Sequence, residues 1–93
     1  MREVSYRVAT DLPNALMKMV RDPEEGIYTA YMWNSAEQKW IEAWESCYGY
    51  FVGFDPSFPV TDEEAEELRK IIKPRKEPYF KIESGKLVIL KND

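Results

Sequence analysis

Histidine is absent from this chain, and Cys47 is its only cysteine. Without histidine the sequence lacks the most frequent general base of nucleophilic catalysis and a principal ligand of zinc. A single cysteine cannot form an internal disulfide, and the nearby Glu45 opposes ionisation of its thiol. We therefore interpret Cys47 as a small buried hydrophobic residue rather than as a nucleophile.

Glycine-rich segments and long apolar runs are also missing. The four glycines are scattered, so no phosphate-binding loop is present, and the acidic segments lack the alternating oxygen ligands of a calcium loop. No apolar run approaches the roughly 18 residues of a membrane span, and residues 1–8 lack the apolar core of a signal peptide. We expect no cofactor, no metal ion and no membrane contact, and a cytoplasmic protein of bacterial type.

Basic residues are missing from one long stretch, residues 40–67, although the chain has 13 of them against 17 acidic residues. Binding to a phosphate backbone needs clustered lysine and arginine, so this distribution argues against a nucleic-acid partner. Carboxylates are plentiful, but no spacing selects a catalytic pair. Those of residues 62–67 have a structural explanation as cap, dipole and solvated-face residues.

Aromatic residues are what the chain has in excess, and ten of its thirteen lie between Tyr28 and Phe58. Most of these rings are expected to form the core, because each buries a large area. A small domain cannot bury this many rings completely. One or two of Tyr31, Trp44 and Tyr50 are therefore expected at the surface. Exposed rings beside carboxylates would form an interaction patch. Its candidate residues are Tyr31, Trp33, Trp40, Trp44, Tyr50, Glu63 and Glu67.

Length predicts one domain over residues 1–93. The patterns along the chain predict an α+β fold, in which an antiparallel meander of three to four strands packs against a helix at about 61–73. Alternation of Val4, Tyr6 and Val8 with polar residues predicts the first strand. Residues 15–21 and 27–33 are predicted to form a hairpin around an acidic turn that ends in glycine. A helix over residues 13–21 is the alternative, because alanine, leucine, methionine and lysine favour helices.

Two interpretations compete for residues 35–51. In the preferred one, residues 39–43 form a third strand that leads into a short helical segment at 44–51. In the other, Ser35 caps a helix, Gln38 completes a capping box, and the tryptophans contribute to an apolar stripe. The segment from Tyr48 to Val60 is predicted to be a loop whose phenylalanines lie under the sheet.

The clearest element is a helix over residues 61–73. Thr61 and Glu64 have the spacing of a capping box, and Glu66 precedes Lys70 by the four residues that favour an ion pair. Beyond Pro74, residues 79–83 and 86–91 flank a Ser-Gly turn and predict a C-terminal hairpin, which would add to an edge of the sheet.

One sequence pattern resembles many short uncharacterised proteins of Gram-positive bacteria and their phages. It consists of Tyr-Met-Trp-Asn at 31–34, Lys-Trp-Ile-Glu at 39–42 and Val-Thr-Asp-Glu-Glu-Ala at 60–65. The resemblance covers residues 27–72 and implies an aromatic hairpin at 27–43 followed by an acidic-capped helix. It implies no activity.

Three functions are compatible with these features. The first is a non-enzymatic module that binds another protein or a second copy of itself through rings and acids. The second is a phage-type or defence-related inhibitor whose acidic residues mimic nucleic acid. The third is a small enzyme or ligand-binding protein that uses carboxylates around an aromatic pocket.

Overall fold

Seven strands and two helices follow one another in this computed structural model, which describes residues 2–90. The strands of the larger sheet are β1 Glu3–Ala9, β2 Leu16–Asp22, β3 Ile27–Asn34, β4 Lys39–Glu42 and β5 Ser57–Val60. The remaining elements are α1 Trp44–Val52, α2 Asp62–Ile71, β6 Phe80–Glu83 and β7 Lys86–Ile89. The larger sheet is antiparallel, in the order β4-β3-β2-β1-β5, and β6 and β7 form a second, two-stranded sheet. The predicted α+β class is confirmed.

The predicted hairpin at residues 15–33 is confirmed as β2 and β3, which pair from Met17 opposite Met32 to Asp22 opposite Ile27. Its turn ends at Gly26, whose φ of 66° is costly for a residue with a side chain. The alternative helix over residues 13–21 is wrong. β2 lies between β1 and β3 in the sheet, and pairing on both sides overrides its helix propensity.

The preferred interpretation of residues 39–51 is also confirmed, as β4 followed by α1. The Ser35-capped helix is wrong, because a turn occupies its proposed start. The Asn34 Oδ1 atom accepts a hydrogen bond from the Glu37 N–H (2.9 Å), and Gln38 has a φ of 54°. These features close the β3–β4 turn locally.

Strand β5 lies in the segment that the sequence predicts to be a loop, and it contains Pro59. It pairs antiparallel with β1, with Val8 opposite Phe58, and it lies at an edge of the sheet. An edge strand tolerates proline, since one side of its backbone has no neighbouring strand to bond. Phe58 packs against the core as expected, whereas Phe54 does not lie under the sheet and is 79% exposed.

The capping box of α2 is confirmed. The Thr61 hydroxyl accepts from the Glu64 N–H at 3.1 Å, and the Glu64 carboxylate accepts from the Thr61 N–H at 2.8 Å. Glu66 forms its ion pair with Arg69 and not with Lys70.

The C-terminal hairpin is confirmed as β6 and β7, although Lys91 of its predicted second strand lies outside the described residues. The hairpin does not add to an edge of the larger sheet, and its apolar side chains pack against the core instead. Asn14 holds the segment before it: its amide donates to the Glu77 carbonyl (2.9 Å) and accepts from the Tyr79 N–H (2.7 Å). These bonds direct the hairpin over the sheet.

The two faces of the larger sheet carry separate apolar clusters. On what we call the α2 face, Val8, Leu16 and Trp33 pack with α2 and the hairpin. On the opposite α1 face, Met17 and Ala30 pack with α1. Within residues 2–90, neither helix has the length and apolarity needed to cross a membrane.

Candidate functional site

The candidate site is a row of three aromatic rings along α1. Cys47 and Tyr50 are the buried residues of this helix and join the cluster of the α1 face. Trp44 and Tyr48 lie one helical turn apart, so their rings are neighbours, with centroids 5.2 Å apart. The Phe54 ring extends the row at 6.4 Å from Tyr48. We call Trp44, Tyr48 and Phe54 the aromatic ladder.

Backbone geometry fixes Phe54 at the end of this row. Gly53 has a φ of 95°, which lets the chain reverse after α1. The Phe54 and Asp55 N–H groups then both donate to the Gly49 carbonyl, at 2.9 and 3.0 Å. The Asp55 carboxylate occupies the space that a side chain at Gly49 would need, so the helix and the returning chain approach closely there. The position of Phe54 therefore belongs to a hydrogen-bonded turn.

The ladder becomes more exposed from its first ring to its last. Trp44 is half-buried against the cluster of the α1 face, Tyr48 is 41% exposed and Phe54 is 79% exposed. Single exposed apolar residues are normal on protein surfaces, whereas contiguous ones mark interaction sites more often. The ladder is contiguous, because each ring contacts the next.

Two carboxylates neighbour the ladder along the chain. Glu45 lines a surface depression of about 520 Å³ together with Trp44, and Asp55 directly follows Phe54. Glu42 lines the same depression, but it pairs with Tyr31, so its side chain lies on the α2 face. No salt bridge between described residues involves any of these three carboxylates. The surface thus combines rings and negative charge, which are the two features that attract a cationic group.

The aromatic residues on the α2 face already have cations of this chain beside them. The Lys18 Nζ atom lies 4.6 Å from the Trp40 ring centroid and 4.9 Å from that of Tyr31. Arg69 lies over Trp33, which also packs edge-on against Trp40 at 5.3 Å. Burial lowers the pKa of Lys18. These contacts hold the α2 face together internally.

Two of the predicted patch residues are part of the core. Trp33 and Tyr50 are each 7% exposed, and they belong to the clusters of opposite faces. Tyr50 was among the rings expected at the surface. Instead its hydroxyl donates to the Asp11 carboxylate at 2.8 Å, and burial together with this bond raises the pKa of Tyr50 to about 12.

The other predicted patch residues are spread over separate surfaces. Tyr31 and Trp40 are half-buried on the α2 face, Trp44 lies on α1, and Glu63 and Glu67 are exposed on α2. The structure does not bring them together.

Sequence reasoning left Tyr48 and Phe54 out of the patch. The four-residue spacing from Trp44 to Tyr48 pointed to a shared helix flank, once the helix itself was accepted. Nothing in the sequence placed Phe54 beside Tyr48, because that contact depends on the turn at Gly53.

Cys47 is fully buried, and burial raises the pKa of its thiol to about 11. A thiol in this state is a poor nucleophile near neutral pH. Across residues 2–90, no group of three or more metal-ligating side chains comes together.

The chain matches no known family model, no curated protein and no solved structure. The resemblance to short Gram-positive and phage proteins therefore stays a prediction.

Proposed function

We propose that this chain is a small, non-enzymatic cytoplasmic module that binds another protein through the aromatic ladder. The observation that carries the proposal is the exposure of Phe54 at 79%, in a turn whose backbone bonds hold it beside Tyr48. Tyrosine and tryptophan are frequent hot spots of protein interfaces. Rings as exposed as those of Tyr48 and Phe54 are not needed to fill the core, and contiguous exposed rings mark interaction sites.

The charge around the ladder supports a basic partner surface. Glu45 and Asp55 are next to ladder residues in the chain, and residues 40–67 contain no lysine or arginine. A lysine or arginine side chain of the partner would lie over a ring and near a carboxylate, as Lys18 and Arg69 lie over rings within this chain. Burial of Cys47 with a raised pKa of its thiol supports a non-enzymatic role.

Capture from a bacterial lysate tests the proposal. The bait is the wild-type chain, compared with a Tyr48→Ser/Phe54→Ser double variant and with Val52→Ser as the matched control. Val52 is an exposed apolar residue of the same helix outside the ladder. We expect a basic protein that the wild type and Val52→Ser retain, and a loss of about tenfold or more with the double variant, since each hot spot contributes about 2 kcal/mol. Equal capture by all three baits, or no capture by the wild type, would contradict the proposal.

The second candidate function is an inhibitor that mimics nucleic acid, and the acidic stretch at residues 40–67 favours it. Such an inhibitor would depend on its acids and not on its rings, and its binding would fall steeply with salt. Capture that is abolished by Glu63→Gln/Glu67→Gln and unaffected by the ladder variant would support this function over the ladder.

A further inference from the structure

The outer edge of β3 is open along its first residues. β4 pairs with β3 only from Tyr31 to Asn34, and the last bond on this side runs from the Ala43 N–H to the Ala30 carbonyl, at 2.9 Å. Within residues 2–90, no strand lies beside this edge at Ile27–Thr29. Bonding directions alternate along a strand, so the backbone groups of Tyr28 face the same side as those of Ala30. They are available to a further strand.

This open edge lacks the features that protect the other outer edges of the sheet. β5 carries Pro59, and β4 carries Lys39 and Glu42, which are residue types that discourage pairing with another chain. The Ile-Tyr-Thr segment at 27–29 contains no proline and no charge, and Ile27 and Tyr28 are 47% and 53% exposed. Exposed edges of this kind accept extended peptides as added strands.

The open edge adjoins the aromatic ladder. Tyr28 and Ala30 are two residues apart in β3, so their side chains lie on the same face of the sheet. Ala30 packs with α1, and the Tyr28 side chain therefore emerges on the α1 face. Ala43, which bonds Ala30, directly precedes Trp44. A strand added to the edge would therefore end beside the first ring of the ladder.

The charges at the two ends of the open edge of β3 indicate which kind of added strand can bind there. The turn before β3 is acidic, with Asp22 and Glu25, and Glu42 and Glu45 lie at the other end of the open edge. In antiparallel pairing of two copies around Tyr28, the acidic turn of one copy would meet the acids of the other, which is unfavourable. Arg21, which lies opposite Tyr28 and over its ring, is itself paired with Glu3. A segment with lysine or arginine near its ends therefore meets opposite charge at both ends.

Building on the function proposed above, we propose that the partner contributes an extended segment bearing lysine or arginine, which adds antiparallel to the open edge of β3 in line with β4. Its backbone bonds Tyr28, and its basic side chains reach the acids and rings beside Trp44.

The test uses an end-capped peptide of alternating lysine and valine, titrated into the ¹⁵N-labelled chain, with a peptide of alternating glutamate and valine as the control. We expect the lysine peptide to shift the Tyr28 and Ala30 amide signals and to slow hydrogen exchange at Tyr28 about tenfold or more, because a new hydrogen bond closes that site. The glutamate peptide should leave both amides unchanged.

Two variants separate backbone pairing from ring contact. Tyr28→Pro removes the outward N–H and should weaken peptide binding about tenfold, whereas Tyr28→Thr keeps the N–H and should bind within about threefold of wild type. Binding that leaves the Tyr28 amide unaffected while shifting Tyr48 and Phe54 would refute strand addition and leave the ladder proposal standing. Equal effects of the two peptides, no binding of the lysine peptide, or dimerisation of the free chain through β3 would also overturn the inference.

Discussion

The aromatic rings on the two faces of the sheet have different surroundings. On the α2 face, Trp33 and Trp40 lie in the layer formed by α2 and the C-terminal hairpin, and Arg69 and Lys18 lie against their rings. On the α1 face, the ladder has Glu45 and Asp55 beside it in the chain and no cation of this chain over its rings among the described residues. Trp33 and Trp40 are thus internal on the α2 face, whereas the three rings of the ladder are available on the α1 face.

The difference follows from what covers each face. The α2 layer is a helix with a complete capping box plus a two-stranded hairpin, and together they bury the centre of their face. The α1 layer is one nine-residue helix whose N-cap, Ala43, makes no side-chain cap. A single short helix buries the rings on one of its sides and leaves the others exposed. The aromatic composition of a segment therefore does not decide by itself which rings are in the core.

The largest expected effect compares Trp33 with Phe54. Trp33→Ala should lower the free energy of unfolding by about 3–5 kcal/mol, because it leaves a cavity in the α2-face cluster. Phe54→Ala should change it by less than about 0.5 kcal/mol, since that ring is exposed. Urea unfolding followed by circular dichroism measures both, and similar losses for the two variants would remove the contrast between the faces.

A second comparison concerns the helix ends. Thr61→Ala removes the oxygen that caps α2 and should cost about 1 kcal/mol. Thr10→Ala, in an exposed loop, serves as the control and should cost less than about 0.5 kcal/mol. If the two substitutions cost the same in thermal unfolding, the capping box does not stabilise the α2 layer.

The Tyr50 hydroxyl links α1 to the loop between β1 and β2. Tyr50→Phe deletes its bond to Asp11 and should cost about 1 kcal/mol at neutral pH, the usual net value of a hydrogen bond. The pKa of Tyr50 is raised from 10.0 to about 12 in the folded chain, so the folded state holds this proton more tightly than the unfolded state. Wild-type stability should therefore fall as pH rises from 10.0 to about 12.

Tyr50→Phe should lose less stability over the same pH range, because it lacks this titrating group. Denaturant midpoints of both proteins across that range provide the measurement. Parallel pH curves for the two proteins would show that the buried hydroxyl does not contribute.

The smallest effect is expected at Lys18. Lys18→Met keeps an unbranched apolar side chain against Tyr31 and Trp40 but removes the charge. The lost cation–π contact, worth about 0.5–1 kcal/mol, is offset by relief of the desolvation that lowers the pKa of Lys18. The net change in unfolding free energy should stay within about 0.5 kcal/mol. A larger loss in chemical unfolding would mean that the charge itself holds the α2 face together.

Local signals were enough to predict several elements. The β2–β3 hairpin follows from an acidic turn ending in glycine between β-prone runs, and α2 follows from Thr61 and Glu64 at capping-box spacing. Strand β5 could not be predicted in this way, because proline excludes a central strand and only the sheet order shows that Pro59 is at an edge. The docking of the C-terminal hairpin depends on Asn14, which lies more than sixty residues away in sequence.

The candidate site was less predictable than the fold. Predicting the site requires knowing on which face of the sheet each ring lies. The face depends on the strand register and on which helix covers each side. Trp33 and Trp44 are equally aromatic in sequence, yet one lies beneath α2 and the other begins α1. Phe54 depends on a backbone reversal at Gly53 that leaves no periodic pattern.

The most direct test of the account is the free energy of unfolding of the Tyr48→Ser/Phe54→Ser variant. If the ladder is available to a partner and is not part of the core, this variant should stay within about 1 kcal/mol of wild type, as surface substitutions do. The account would be contradicted if the variant lost about 3 kcal/mol or more of unfolding free energy, as Trp33→Ala is expected to do. Such a loss would show that the two rings hold the fold together.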